Sequence, residues 1–152
     1  MPKLLLFAPC EKVLQDEQGN FSLIVLLTAM RIGLNLTEIP EQEHVAIPMR
    51  WEIATMWWRS PEDGTTKFEQ RIELVGPNES VLLANVAKIL LADADTHRHI
   101  TRIQGFPVPK VAGRCFLRLY LREDRDGTDW GKPVAIYPMT IAVDLQAPKE
   151  PA

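Results

Sequence analysis

Period-two alternation of apolar and polar side chains runs through most of this chain, and it is clearest over Arg114–Arg122. Successive side chains of a strand point to opposite faces. Cys115, Leu117, Leu119 and Leu121 therefore share one face, and Arg114, Phe116, Arg118, Tyr120 and Arg122 share the other. A helix would scatter those leucines, so the pattern predicts a strand with one buried face. Phe68–Leu74 alternates in the same sense, with Glu69, Arg71 and Glu73 outward. Met49–Arg59 is heavier, carrying Trp51, Trp57 and Trp58. The adjacent Trp57 and Trp58 must face opposite sides, one in the core and the other on the outer face or under a loop.

Turn signals separate such segments every 10 to 20 residues: Asp16–Asn20, Pro40, Ser60–Gly64, Gly76–Asn78 and Asp126-Gly127. Between them lie Lys3–Gln15, Phe21–Leu36, Val45–Arg59, Lys67–Val75, Val81–Ala92, His97–Phe106, Ala112–Glu123 and Pro133–Leu145. About eight short strands with regular turns predict an all-β fold, a single-domain sandwich or barrel over residues 1–146. Residues 147–152, with Pro148 and Pro151 and no apolar pattern, read as a flexible C-terminal tail. Val81–Ala92 is rich in helix formers and apolar all round. It fits a doubly buried strand, favoured by its neighbours, or one short helix capped by Ser80. Phe21–Leu36 reads as one long, bulged strand, and Pro138 belongs at an edge or bulge because it cannot donate to a ladder.

Composition changes this picture little. The chain has 152 residues, 46% hydrophobic and 24% charged, with 12 Pro, 8 Gly and 2 Cys. That excludes collagen-like, disordered and disulfide-stapled classes. The opening Met1–Cys10 has too short an apolar stretch for a lipoprotein signal and reads as a strand. No run approaches a membrane span, so the expected location is the cytoplasm, with Cys115 a buried thiol. Net charge is only -3, yet it is unevenly spread. Residues 97–125 hold seven Lys/Arg and two acids, whereas residues 11–80 hold twelve acids and six bases.

The order of a short strand, Cys10, Glu11-Lys12-Val13, a polar hairpin with Gly19 and a long apolar strand carries a resemblance, together with the Gly113-Arg114-Cys115-Phe116 strand. It is similar to a family of small bacterial β-sandwich proteins with no known activity. The resemblance implies a C2-like or immunoglobulin-like single-domain antiparallel Greek-key β-sandwich over most of the chain, with no catalytic residues to carry over.

Three constellations offer chemistry. Arg114, Phe116, Arg118, Tyr120 and Arg122 form an outward Arg/aromatic stripe. It reads as a partner-binding face, as a cross-strand ladder with acids such as Glu69 and Glu73, or as a polyanion track. If extended, Asp93, Asp95, His97 and His99 project from one face about 6.6 to 6.8 Å apart, which is metal-ligand chemistry in kind. Without curvature they do not converge on one ion, and a polar turn is the simpler account. Asp124, Asp126 and Asp129 in the acidic hairpin resemble calcium loops, but an EF-hand alignment on Gly127 puts Arg122 first and Pro133 last. No metal and no cofactor is expected. Neither GxSxG, HExxH, a P-loop nor a dinucleotide fingerprint occurs, so no catalytic residue is selected. The expected function is therefore non-enzymatic, through protein partners or self-association, with nucleic acid a poor candidate. The alternative is a module binding calcium, carbohydrate or a lipid headgroup through the loop acids and Trp57, Trp58 or Trp130.

Overall fold

The computed structural model describes residues 1–35, 44–64, 67–91, 95–109, 113–124, 127 and 129–146. Among these residues nine strands form two sheets: β1 (Lys3–Gln15), β2 (Phe21–Leu26), β3 (Ala29–Asn35), β4 (His44–Trp58), β5 (Lys67–Val75), β6 (Val81–Leu90), β7 (Thr96–Pro109), β8 (Gly113–Glu123) and β9 (Ala135–Gln146). The first sheet has the order β2-β1-β4-β7 and the second β3-β9-β8-β5-β6. β4 returns beside β1 while β3 continues from β2 into the opposite sheet, which is Greek-key order bent across a sandwich. The all-β sandwich read from the alternation is thus the observed architecture. The expected tail, 147–152, lies outside the described residues.

Three details differ from the sequence reading. Phe21–Leu36 is two strands, which raises the count from about eight to nine. Its chain leaves the first sheet at Leu27, whose N–H donates to Pro9 O (3.0 Å), and Thr28 O accepts from Thr140 on the other sheet (3.0 Å). An unbroken apolar run hides this crossing, because both halves and the crossover carry hydrophobic side chains. Second, β3 runs parallel to β9, while every other ladder is antiparallel. Third, β6 (Val81–Leu90) is a strand paired with β5 and not a helix, and as the edge of its sheet it is largely exposed instead of buried on both faces. The open edge of β5 supplies ladder partners that outweigh the segment's modest helix preference.

The main core lies between the sheets. Trp51, Ile53 and Trp57 of β4 face Phe68, Ile72 and Leu74 of β5 together with Leu117, Leu119 and Met139, all buried. Each fully buried side chain of this size stabilises by about 1.5–3 kcal/mol. Trp57 is inside and Trp58 outside, with Lys3 Nζ 5.6 Å from its ring centroid. One polar residue fastens the layers: the buried Gln70 of β5 accepts at Oε1 from Thr55 Oγ1 (3.0 Å) and Trp57 Nε1 (2.9 Å) of β4. Pro138 sits on β9 just before the β3 ladder begins at Ala29↔Thr140. Its missing donor falls on an unpaired edge.

A smaller core lies on the outer face of the first sheet. β1 pairs with β4 only as far as Cys10↔Glu52, and beyond that point it pairs with β2 alone. The hairpin curls over the sheet, packing Val13, Phe21 and Leu23 around Cys10, Ala54 and Ile100. Its turn is held by Asp16, whose Oδ1 accepts from the N–H of Gln18 (3.0 Å) and Asn20 (2.8 Å). Gly19 takes a φ of +83° there, a conformation that costs glycine nothing.

Cys10 and Cys115 are free, fully buried thiols that pack in different clusters. Burial pushes both up to about 11, with the Glu52 carboxylate adding to the effect on Cys10. Reaction requires the thiolate. Both thiols are therefore expected to resist Ellman's reagent in the native protein and to react in denaturant. Rapid labelling of either in buffer would contradict this packing.

Candidate functional site

The outer face of the second sheet carries the Arg/aromatic stripe. Register places Arg122 opposite Glu69, Tyr120 opposite Arg71 and Arg118 opposite Glu73. Arg122 binds Glu69 Oε2 through both Nε (2.8 Å) and Nη2 (2.7 Å). Its guanidinium also lies 3.9 Å from the ring centroid of Trp130 and donates to Gly127 O. Arg118 passes its direct neighbour and pairs with Glu79 at 2.7 Å. Glu73 is instead taken by Arg71, two positions back on its own strand, and by the Tyr120 hydroxyl. Burial, then the Glu73 charge, push that hydroxyl upward, so it remains a donor at neutral pH. Two of the three outward arginines of β8 are thus spent inside the chain. Arg114 is exposed, with no ion pair among the described residues, and Phe116 is half-buried opposite Val75 and Pro138. Exposed Val86 and Ile136 flank the charge ladder in register with Arg71 and Arg118.

Asp124 lies 3.6 Å from Lys88 of β6, and Asp129 Oδ1 accepts from Gly131 N (2.8 Å), closing a turn. Asp126 and Asp93 lie outside the described residues. Asp95 is exposed, its carboxylate 4.0 Å from Arg59. Among the described residues no three His, Cys, Asp or Glu side chains gather as a metal would require.

His97 and His99 pair with Trp57 and Thr55, two inward positions, so they sit half-buried on the inward face at the β6–β7 seam. Their rings stack with centroids 6.2 Å apart. His97 Nδ1 lies 3.0 Å from Leu90 O, which ties β7 to β6, and its Nε2 is buried with no hydrogen-bond partner among the described residues. Burial holds both imidazoles below the usual histidine range, with neighbouring His97 and Arg102 adding to the effect on His99. A histidine depressed in the native state binds its proton more readily when unfolded. Stability is therefore full above pH 6.5, the ordinary histidine value, and falls as pH drops below it. Urea midpoints at pH 7.5 and pH 5.5 are expected to show this fall, with a smaller one in H97Q/H99Q.

The feature that sequence reasoning missed is the β2 edge. Phe21–Leu26 has no charge and no proline, and it forms the free edge of the first sheet. Ile24, Val25 and Leu26 are 42%, 55% and 51% exposed. Ser22, Ile24 and Leu26 lie on the hairpin face opposite Phe21 and Leu23, and Leu14 of β1 joins them in register with Ser22. Val25 has a φ of +53°, in the left-handed region that a β-branched residue enters only at a cost. Missing charges along 21–26 are visible in the sequence, but the run reads as a buried strand until its edge position is known.

No protein-family model matches the sequence, and a search of curated proteins finds no match. Among the described residues no helix is long and apolar enough to cross a membrane.

Proposed function

We propose that this is a non-enzymatic β-sandwich that works through protein contacts, and that the β2 edge is its principal contact element, with a second copy of the chain as the occupant. The observation that carries this reading is Val25, a strained β-branched residue more than half exposed. Its strain, of order 1–3 kcal/mol, is met by no compensating burial within the chain. Natural sheets blunt free edges with charges, proline, bulges or very short strands, and β2, although kinked at Val25, carries neither charge nor proline. The uncharged run also favours self-pairing. In a two-fold antiparallel contact each strand faces itself, where any charge would meet its like. Two buried free thiols suit the reducing cytoplasm.

The Arg/aromatic face serves as a secondary surface, through Arg114 and the exposed Val86 and Ile136 rather than through Arg118 and Arg122. Light scattering from micromolar to millimolar protein tests the reading. The expected result is a mass that rises toward that of a dimer, and a strict monomer throughout would overturn it.

A further inference from the structure

Where β1 leaves β4 after Cys10, a cleft of about 490 Å³ opens between the β1 lip and the β4–β7 floor. A bulge adjoins it: the β4–β7 register shifts between Ile47 and Arg50, Gly105 takes a φ of +86°, and Gly105 O accepts from Trp51 Nε1 (3.0 Å). Lys12 and Glu11 line the lip, and Arg50, Glu52, Arg102 and Gln104 the floor.

The charges in the cleft are arranged unequally. Glu52 is mostly shielded, one carboxylate oxygen accepting the Val13 N–H (2.6 Å) and the other 3.4 Å from Arg102 Nε. Arg50 Nε donates to Gln104 Oε1 (2.9 Å). Both guanidiniums are thus oriented through Nε. Among the described residues Arg102 pairs with Glu52 alone, and neither Arg50 nor Lys12 makes an ion pair. Because Arg50 faces Gln104 and Glu52 faces Arg102, the two arginines are diagonal neighbours on adjacent strands, about 7–8 Å apart at the backbone and within joint reach of one group. Guanidinium forks match the planar or tetrahedral oxygens of a carboxylate or phosphate. The volume falls in the range of small-molecule pockets.

We propose that this cleft binds a small free oxyanion, its carboxylate or phosphate held by Arg50, Arg102 and Lys12, with Glu52 and Gln104 as positioning residues. The site is independent of the β2 contact. It is tested by calorimetry and amide NMR at low ionic strength, titrating the full chain with inorganic phosphate and with citrate. The expected result is saturable binding of at least one of them, with shifts centred on Arg50, Trp51 and Arg102. R50Q/R102Q is expected to weaken it by about tenfold or more, and E11Q to tighten it by removing an unfavourable charge. All these side chains lie at the cleft surface, so unchanged NMR dispersion certifies each variant's fold. No saturable binding of either ion overturns the proposal, as does binding that survives R50Q/R102Q or shifts equally strong at the distant Arg31 and Arg114. Binding only to phosphatidylserine vesicles, with neither free ion bound, also overturns it.

Discussion

Replacing Gln70 by leucine is expected to destabilise the fold by about 2–4 kcal/mol, although leucine is apolar and similar in size. The carboxamide oxygen is the acceptor for two buried donors on the opposite sheet, Thr55 Oγ1 and Trp57 Nε1. Without it each is stranded away from water, at about 1–3 kcal/mol apiece. Some of this is offset, because Gln70 Nε2 is itself buried with no partner and leucine removes it. Urea denaturation measures the change. Thr55→Val made in the Gln70→Leu background should recover part of the loss, since it removes one stranded donor. A cost below about 0.5 kcal/mol, the level of ordinary surface substitutions, would mean that Gln70 does not hold the layers together.

The second large effect concerns association rather than folding. I24K/L26K places two lysines on the free edge of β2, where a two-fold partner would set them against their own copies. The dimer constant is expected to weaken by about a hundredfold, since two apposed like charges cost several kcal/mol. Both side chains are exposed, so monomer stability should change by no more than about 0.5 kcal/mol. Val25→Gly separates strain from contact. Glycine accepts the φ of +53° freely, so the monomer should gain up to about 1 kcal/mol. Its dimer should weaken, because the exposed isopropyl group is gone. A dimer unaffected by both variants would remove β2 from the interface.

The sandwich was legible because one face of each central strand is buried. The row Cys115, Leu117, Leu119, Leu121 alternates for that reason, and all four are buried. Edges were harder to read. β2, β3 and β6 lie at sheet margins, where apolar residues appear on both faces and period-two contrast fades. Hence Phe21–Leu36 concealed a crossing between sheets and 81–92 suggested a helix. Candidate sites were legible as residue types but not as geometry. The outward arginines on β8 were plain, whereas the capture of Arg118 by Glu79 depends on a turn from another part of the chain. The oxyanion cleft could not be read at all. It exists because β1 peels away from β4 at Cys10, and it draws Lys12, Arg50 and Arg102 from three strands.

Contact through the β2 edge is read out by amide hydrogen exchange of Phe21–Leu26 in dilute and in concentrated protein. On the free edge the outward N–H groups have no ladder partner and should exchange rapidly when the chain is dilute. Raising the concentration is expected to slow these amides selectively, while β3 and β6, the free edges of the other sheet, stay unchanged. Exchange at β2 that does not depend on concentration, or slowing confined to β6, would contradict it.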